Sequence, residues 1–277
     1  MSRRFLIIGG VGVVAVVALA VGAWFLFFSD DAPEAVTNEA ANEQLDADLA
    51  AADENGAATE DETAADAPTA DDPAPADPID ADPIDTPAGI EGEWTVDTSI
   101  GEFDFDSASG SFAGFRVDEE LTIGEVTAVG RTGDVSGSLT VEGEQITATE
   151  VTVDLTAVAS NDSRRENAIR GALDTSTFPE ATFVLTEAIA LPPGIDEGET
   201  VEVQAVGELT IHGVTNAATF DLTANVRDDG IAVVTGSAAV VFADYDVTPP
   251  SAPVVVSVED NGIIEFQLLL TQTVAAR

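Results

Sequence analysis

Across 277 residues the chain carries 52 acidic side chains against nine basic ones, all arginine, for a formal net charge of -43 at pH 7. Nucleic-acid affinity comes largely from Lys and Arg displacing counterions from phosphates, so this balance argues against a nucleic-acid partner. The absence of cysteine excludes disulfides, thiolate metal sites, a cysteine nucleophile and an N-terminal lipidated cysteine.

Every residue from Phe5 to Phe28 is apolar or glycine. As a helix the stretch is about 36 Å long at ~1.5 Å per residue, enough to cross a hydrocarbon core of about 30 Å. Arg3 and Arg4 precede it and Asp30 and Asp31 follow it. The positive-inside bias therefore puts residues 1–4 in the cytoplasm and everything after Phe28 outside, as in a single-pass protein of the cell membrane. Ala18-Leu19-Ala20 also fits the cleavage site of a secretory signal. The apolar run continues past it to Trp24, Phe25, Phe27 and Phe28, residues suited to the outer interface, which favours a retained signal-anchor.

Residues 29–92 hold 20 acidic residues and no basic one, with two copies of Ala-Asp-Pro-Ile-Asp at 76–85 and six prolines between 68 and 87. That composition cannot bury a core of its own and predicts a disordered Ala/Asp/Glu/Pro linker. Such a linker serves either as a stalk through a cell-wall layer or as solubilising filler.

From Glu93 the texture changes to short alternating apolar runs broken by Gly, Asn, Asp and Pro, the pattern of an antiparallel β domain over 93–277. Strands are predicted near 94–97, 101–105, 111–117, 125–130, 134–141, 145–155 and 182–189. One helix is predicted from Ser163 to Leu173, with Ala168, Ile169, Ala172 and Leu173 on one side and a cap at Asp162 or Ser163. Over 201–211, Val201, Val203, Ala205, Leu209 and Ile211 share a face opposite Glu202, Gln204, Glu208 and Thr210. Over 218–226, Phe220, Leu222, Ala224 and Val226 do the same, joined to the preceding strand by a turn at His212–Asn216. Asp228-Asp229-Gly230 predicts a turn into Ile231–Val241, and Asn261-Gly262 a turn into a last strand with Ile264, Phe266, Leu268 and Leu270 on one face. A sheet this long has exposed edges unless it closes into a barrel or splits into a sandwich, and the pattern allows both.

Several motifs occur in a consistent order: Trp94-Thr-Val-Asp97, Ser111-Phe-Ala-Gly-Phe-Arg-Val117, Thr127-Ala-Val-Gly-Arg-Thr132 and Gly137-Ser-Leu-Thr140. Asp162-Ser-Arg-Arg-Glu166, Phe178-Pro-Glu-Ala-Thr-Phe183, Gly207-Glu-Leu-Thr-Ile-His-Gly-Val-Thr215, Phe242-Ala-Asp-Tyr245 and Pro249-Pro-Ser-Ala252 follow. Together, over roughly residues 93–275, they resemble the YceI-like family of lipocalin-like, polyisoprenoid-binding barrels. The resemblance implies an all-β, eight-stranded antiparallel barrel with one short covering helix and an apolar cavity for a long isoprenoid or similar amphiphile. Two departures stand out: Glu166 occupies a place where the family usually has aspartate, and the anchor and linker are additional. A tethered barrel can hold or sense a lipid but is poorly suited to long-range shuttling.

Aromatic residues on apolar strand faces are the candidate lining of such a cavity: Phe103, Phe105, Phe112, Phe115, Phe183, Phe220, Phe242 and Phe266, with Trp94 and Tyr245 nearby. Each also reads as ordinary core. Arg164 and Arg165 could clamp an acidic head through their planar donor forks, or pair with the abundant carboxylates. His212, the only histidine, joins them as a headgroup candidate. No Gly-x-Ser-x-Gly elbow or calcium-loop pattern appears, and one histidine without cysteine serves zinc poorly. No catalytic residue, metal or cofactor is therefore expected. The reading is a binding module outside the membrane that holds a long-chain isoprenoid, quinone-like or other amphiphilic ligand. The alternative is a surface-displayed structural or interaction domain with a filled core, and pairing as a homodimer stays open.

Overall fold

The computed structural model describes residues 32–59, 89–121, 124–161, 163–250 and 255–273. The expected tip 1–4, the anchor 5–28, linker residues 29–31 and 60–88 and the cap at Asp162 lie outside the described residues. Among the described residues no helix is long and apolar enough to cross a membrane.

The alternating runs become strands, and eight of them close a ring. Numbered in chain order, β1 (Gly92–Val96), β4 (Val135–Glu142), β5 (Gln145–Asp154), β6 (Glu180–Leu185), β8 (Val201–Ile211), β9 (Val214–Val226), β10 (Ala232–Val241) and β12 (Asn261–Gln272) follow one another around the wall. The end of β12 returns to β1, with Trp94 opposite Gln272 and Val96 opposite Leu270. This choice of barrel over sandwich removes the free edges that such a sheet would otherwise present. The first half of β12 pairs instead with β2 (Phe112–Leu121), from Ile263 opposite Arg116 to Gln267 opposite Phe112. β2 carries β3 (Gly124–Thr132) on its other side, and β7 (Ile189–Ala190) makes a short ladder with β5.

The β8–β9 hairpin is the clearest local case. Its register runs from Val201 opposite Ala224 to Ile211 opposite Val214, so a two-residue turn, His212-Gly213, joins the strands. Both residues have positive φ, 52° and 75°, the left-handed pair whose twist matches a two-residue hairpin. The turn is shorter than the expected His212–Asn216 connection.

Two sequence expectations are corrected. Residues 101–105 form a loop rather than a strand, because local hydrogen bonds capture the backbone: Asp104 accepts from the amides of Asp106 and Ser107, and Glu102 O from those of Ser109 and Gly110. Asn261-Gly262 makes no turn. β11 (Val255–Val258) and β12 run in line along the same edge of β2, separated by a register shift and the Glu259 amide bonded to Asp118 O. Asn261 is already paired with Val241 of β10.

The largest correction concerns the linker. Residues 38–59, within the stretch expected to be disordered, form helix α1 (Asn38–Thr59). Thr37 caps it, its Oγ1 accepting from the Ala40 amide at 3.2 Å. Ala41 and Leu45, one turn apart on one face, are 1% and 0% exposed against Ile231, just before β10, and Val233 and Leu269 on the outside of β10 and β12. Asn38 donates to Val233 O at 3.2 Å, Asn42 to Asn225 at 3.0 Å, and Arg227 pairs with Asp46 at 2.7 Å. The segment has too few apolar residues to make a core, but the barrel supplies the other wall.

The segment leading into α1, residues 32–37, also covers charge. Arg131 and Glu265, both nearly fully buried on the outer face of the barrel, meet at 2.7 Å, and Arg116 approaches the same carboxylate at 3.7 Å. The main-chain oxygens of Pro33 and Glu34 accept from Arg116 and Arg131. Buried ions need such partners to offset lost hydration. The outer wall around β2, β10 and β12 is thus a second packed layer.

Candidate functional site

The inward residues of the ring do not fill the interior. They enclose a cavity of about 300 Å³, at the lower end of the roughly 300–1,000 Å³ found for small-molecule sites. Its wall is overwhelmingly hydrocarbon, supplied by Val203 and Leu222 of the β8–β9 hairpin, Leu139 and Val151 across the barrel, and Leu268 and Leu270 of β12. The second helix, α2 (Ser163–Ala172), closes one side with Ile169 and Ala172, followed by Leu173.

Glycines help to keep this space open. Phe115 lies over Gly130, its partner on β3, and Phe266 over Gly236, its partner on β10. A Cβ on Gly130 would meet Phe115 Cε1 at 2.7 Å, and one on Gly236 would meet Phe266 Cζ at 2.5 Å. The rings therefore lie along the wall instead of crossing the centre. Phe220 joins Phe266 and Phe183 into an aromatic band, edge-on to Phe183 at 5.1 Å and tilted to Phe266 at 5.6 Å.

Seven of the ten aromatic candidates meet at this cavity: Trp94, Phe115, Phe183, Phe220, Phe242, Tyr245 and Phe266. Trp94 is buried and donates its indole N–H to Ile90 O at 2.9 Å, which turns its apolar body to the lining. Burial, reinforced by Asp244, pushes the Tyr245 hydroxyl above its ordinary pKa. Phe103, Phe105 and Phe112 are not part of the lining. Phe112 alternates with the inward-facing Ala113 and Phe115, so it faces the outer layer, where it packs near Phe103 and lies 4.8 Å under the Arg131 guanidinium. Phe105 joins the same layer through its carbonyl, which accepts from Arg131.

Of the three headgroup candidates, only Arg165 reaches the cavity. It stands opposite Glu119 of β2 at 3.6 Å, their side chains 23% and 12% exposed, so the pair lies where lining meets solvent. Arg165 also donates to Asn161 Oδ1. Arg164 is exposed and does not line the cavity. His212 sits at the hairpin turn, its Nδ1 3.3 Å from Tyr245 O and its ring edge-on to Phe178. Sequence reasoning missed Glu119 and most of the aliphatic lining. The aliphatic residues were available from the same alternation that orders Phe220 with Leu222. Glu119 gave no such signal, being one of 52 acidic residues.

The sequence profile of the YceI-like domain matches residues 94–270. No curated protein matches the chain. Among solved structures, the chain is similar to a polyisoprenoid binding domain from Saccharophagus degradans implicated in plant cell wall breakdown, at 16% identity and a TM-score of 0.49 over 65% of this chain and 98% of that one. It is similar to BcnA of Burkholderia cenocepacia at 20% identity and a TM-score of 0.47, over 63% of this chain and 98% of that one. For the YCEI protein of Campylobacter jejuni the identity is 16% and the TM-score 0.40, over 52% and 85%.

Proposed function

Since the chain belongs to the YceI-like domain family, we propose that its barrel binds the hydrocarbon tail of a long-chain isoprenoid, quinone-like or similar amphiphile while residues 5–28 hold it at the outer face of the cell membrane. The observation that carries this reading is the closed ring around an apolar space of about 300 Å³. An apolar tail gains about 0.8 kcal/mol for each methylene taken out of water, and a wall with few polar atoms leaves little desolvation to offset that gain. Trp94, Phe115, Phe183, Phe220, Phe242, Tyr245 and Phe266 contact the tail, and Arg165 lies near its head. No bond is made or broken in this reading.

The test uses the full-length chain, because residues 33–46 pack on the barrel and a fragment starting at Glu93 would strip its outer layer. Protein purified from membranes in neutral detergent is extracted with organic solvent and the extract analysed by mass spectrometry, followed by titration of candidate lipids. A near-stoichiometric amphiphile, or saturable uptake of one, is expected. Neither bound lipid nor saturable uptake would leave a tethered structural domain as the remaining reading. Topology is checked with Val184→Cys, a single thiol at a 42% exposed position in a cysteine-free chain. It should react with a membrane-impermeant maleimide on intact cells, and failure to do so would overturn the extracytoplasmic placement.

A further inference from the structure

Two charged side chains stand among the described residues lining the cavity, Arg165 and Glu119, and they face each other. Resting on the lipid-binding reading above, we propose that this barrel selects amphiphiles with an uncharged polar head, an alcohol or a quinone, over those ending in phosphate, and that Glu119 is the specificity-determining residue.

The argument begins with charge at the opening. The Arg165 guanidinium and Glu119 carboxylate, 3.6 Å apart, together contribute no net charge. A quinone carbonyl can accept from Arg165, and a hydroxyl can in addition donate to Glu119, without separating the pair. A phosphate brings between one and two negative charges at neutral pH. To reach Arg165 it must settle beside the Glu119 carboxylate, only 12% exposed, where solvent screens the repulsion less than at an open surface.

The rest of the lining offers such a group little help. Its other polar side chains among the described residues are hydroxyls, at Thr132, Ser138, Thr149, Thr182 and Tyr245, one amide, Asn225, and the Trp94 indole, whose N–H is already given to Ile90 O. No second cation lines the space among the described residues. Arg170, further along α2, pairs with Glu166 at 3.7 Å and donates to Val158 O. The net charge of -43 opposes an approaching anion at longer range as well.

The experiment titrates farnesol, farnesyl monophosphate and a farnesyl-substituted benzoquinone into the full-length protein in neutral detergent. Trp24→Phe leaves Trp94, in the cavity wall, as the reporting indole. The alcohol and the quinone should bind alike, and the monophosphate about tenfold or more weakly at low salt, as expected for an uncompensated like charge. Added salt should narrow the gap. Glu119→Gln should strengthen phosphate binding severalfold while leaving the alcohol within about twofold, with near-UV circular dichroism reporting the fold. A monophosphate that binds the unsubstituted pair as tightly as the alcohol overturns the inference and leaves lipid binding standing. A gap unchanged in Glu119→Gln overturns the role of Glu119. If none of the three binds, the lipid-binding reading itself fails, and this inference with it.

Discussion

Leu45 and Leu49 lie one turn apart on α1 and differ in surroundings: Leu45 is 0% exposed against Val233 and Leu269, while Leu49 is 36% exposed. Truncating Leu45 to alanine removes buried carbon worth about 2 kcal/mol at ~0.8 kcal/mol per methylene. The space left behind raises the cost to about 2–5 kcal/mol if the helix stays in place. If the helix lifts off instead, the loss is capped at its docking energy, and the amides of residues 38–46 lose protection from hydrogen exchange. Leu49→Ala should cost less than about 1 kcal/mol, as a largely solvated position does. Urea unfolding gives both values, and an unchanged slope would show that the two variants unfold to the same extent. Equal small effects at the two leucines, with residues 38–46 exchanging freely in the unsubstituted protein, would refute the docked helix.

Gly236→Ala tests what keeps the cavity open. The added Cβ would meet Phe266 Cζ at 2.5 Å and Leu222 Cδ2 at 2.6 Å, and both side chains line the cavity, so they yield by moving inward. The expected result is a folded barrel destabilised by about 1–3 kcal/mol with reduced lipid uptake; undiminished uptake would contradict it. A second prediction concerns acid. Burial alone would raise the Asp229 carboxyl, but hydrogen bonds from Arg227 and from the Ile231 amide outweigh it and hold the group below the ordinary 3.8. Asp97 is likewise lowered by the Ser99 hydroxyl and amide. A depressed carboxyl contributes stability that is present above the ordinary value and lost as pH falls through the folded one. The melting temperature should therefore drop below about pH 3.8, and Asp229→Asn should make that drop shallower. An identical acid profile in the variant would count against the assignment.

Much of the barrel was legible because its strands obey a period of two. Val201, Val203, Ala205, Phe220, Leu222 and Ala224 reach the cavity as their alternation requires. Phe112 misled because it is an aromatic on the outer face, which it shares with Arg116 and Asp118; three residues from Phe115, it cannot share the inward face of Ala113 and Phe115. The run Leu268-Leu269-Leu270 carried the missing signal: consecutive leucines have no solvent face, and Leu269 is 0% exposed under α1. The helix itself was hidden by composition, because two buried side chains, Ala41 and Leu45, are invisible in an average over an acidic segment. Its polar anchors, Asn38 and Asn42, meet groups nearly two hundred residues away in the chain, and no local rule finds such partners. The Arg131–Glu265 pair was hidden for the same reason.

The outer layer has a consequence for the inner one. Atoms facing a void lack contacts on one side, so an apolar cavity is under constant pressure to close. Side chains such as Phe266 and Leu268 could relieve that pressure only if β12 itself moved inward or its residues left their positions on the wall. β12 is held on both long edges, by β10 on one side and by β2 and β1 on the other. Its outer face is held as well: Leu269 by α1, Glu265 by two arginines, and Gln267 by the carbonyls of Ala108 and Gly110. Moving the strand inward would pull Glu265 away from Arg131, and separating a buried pair costs about 3–5 kcal/mol. That is more than the roughly 0.8 kcal/mol recovered by bringing one methylene into contact. The polar cluster outside the barrel thus opposes collapse of the apolar space within it, which is how residues that never touch the cavity preserve its volume.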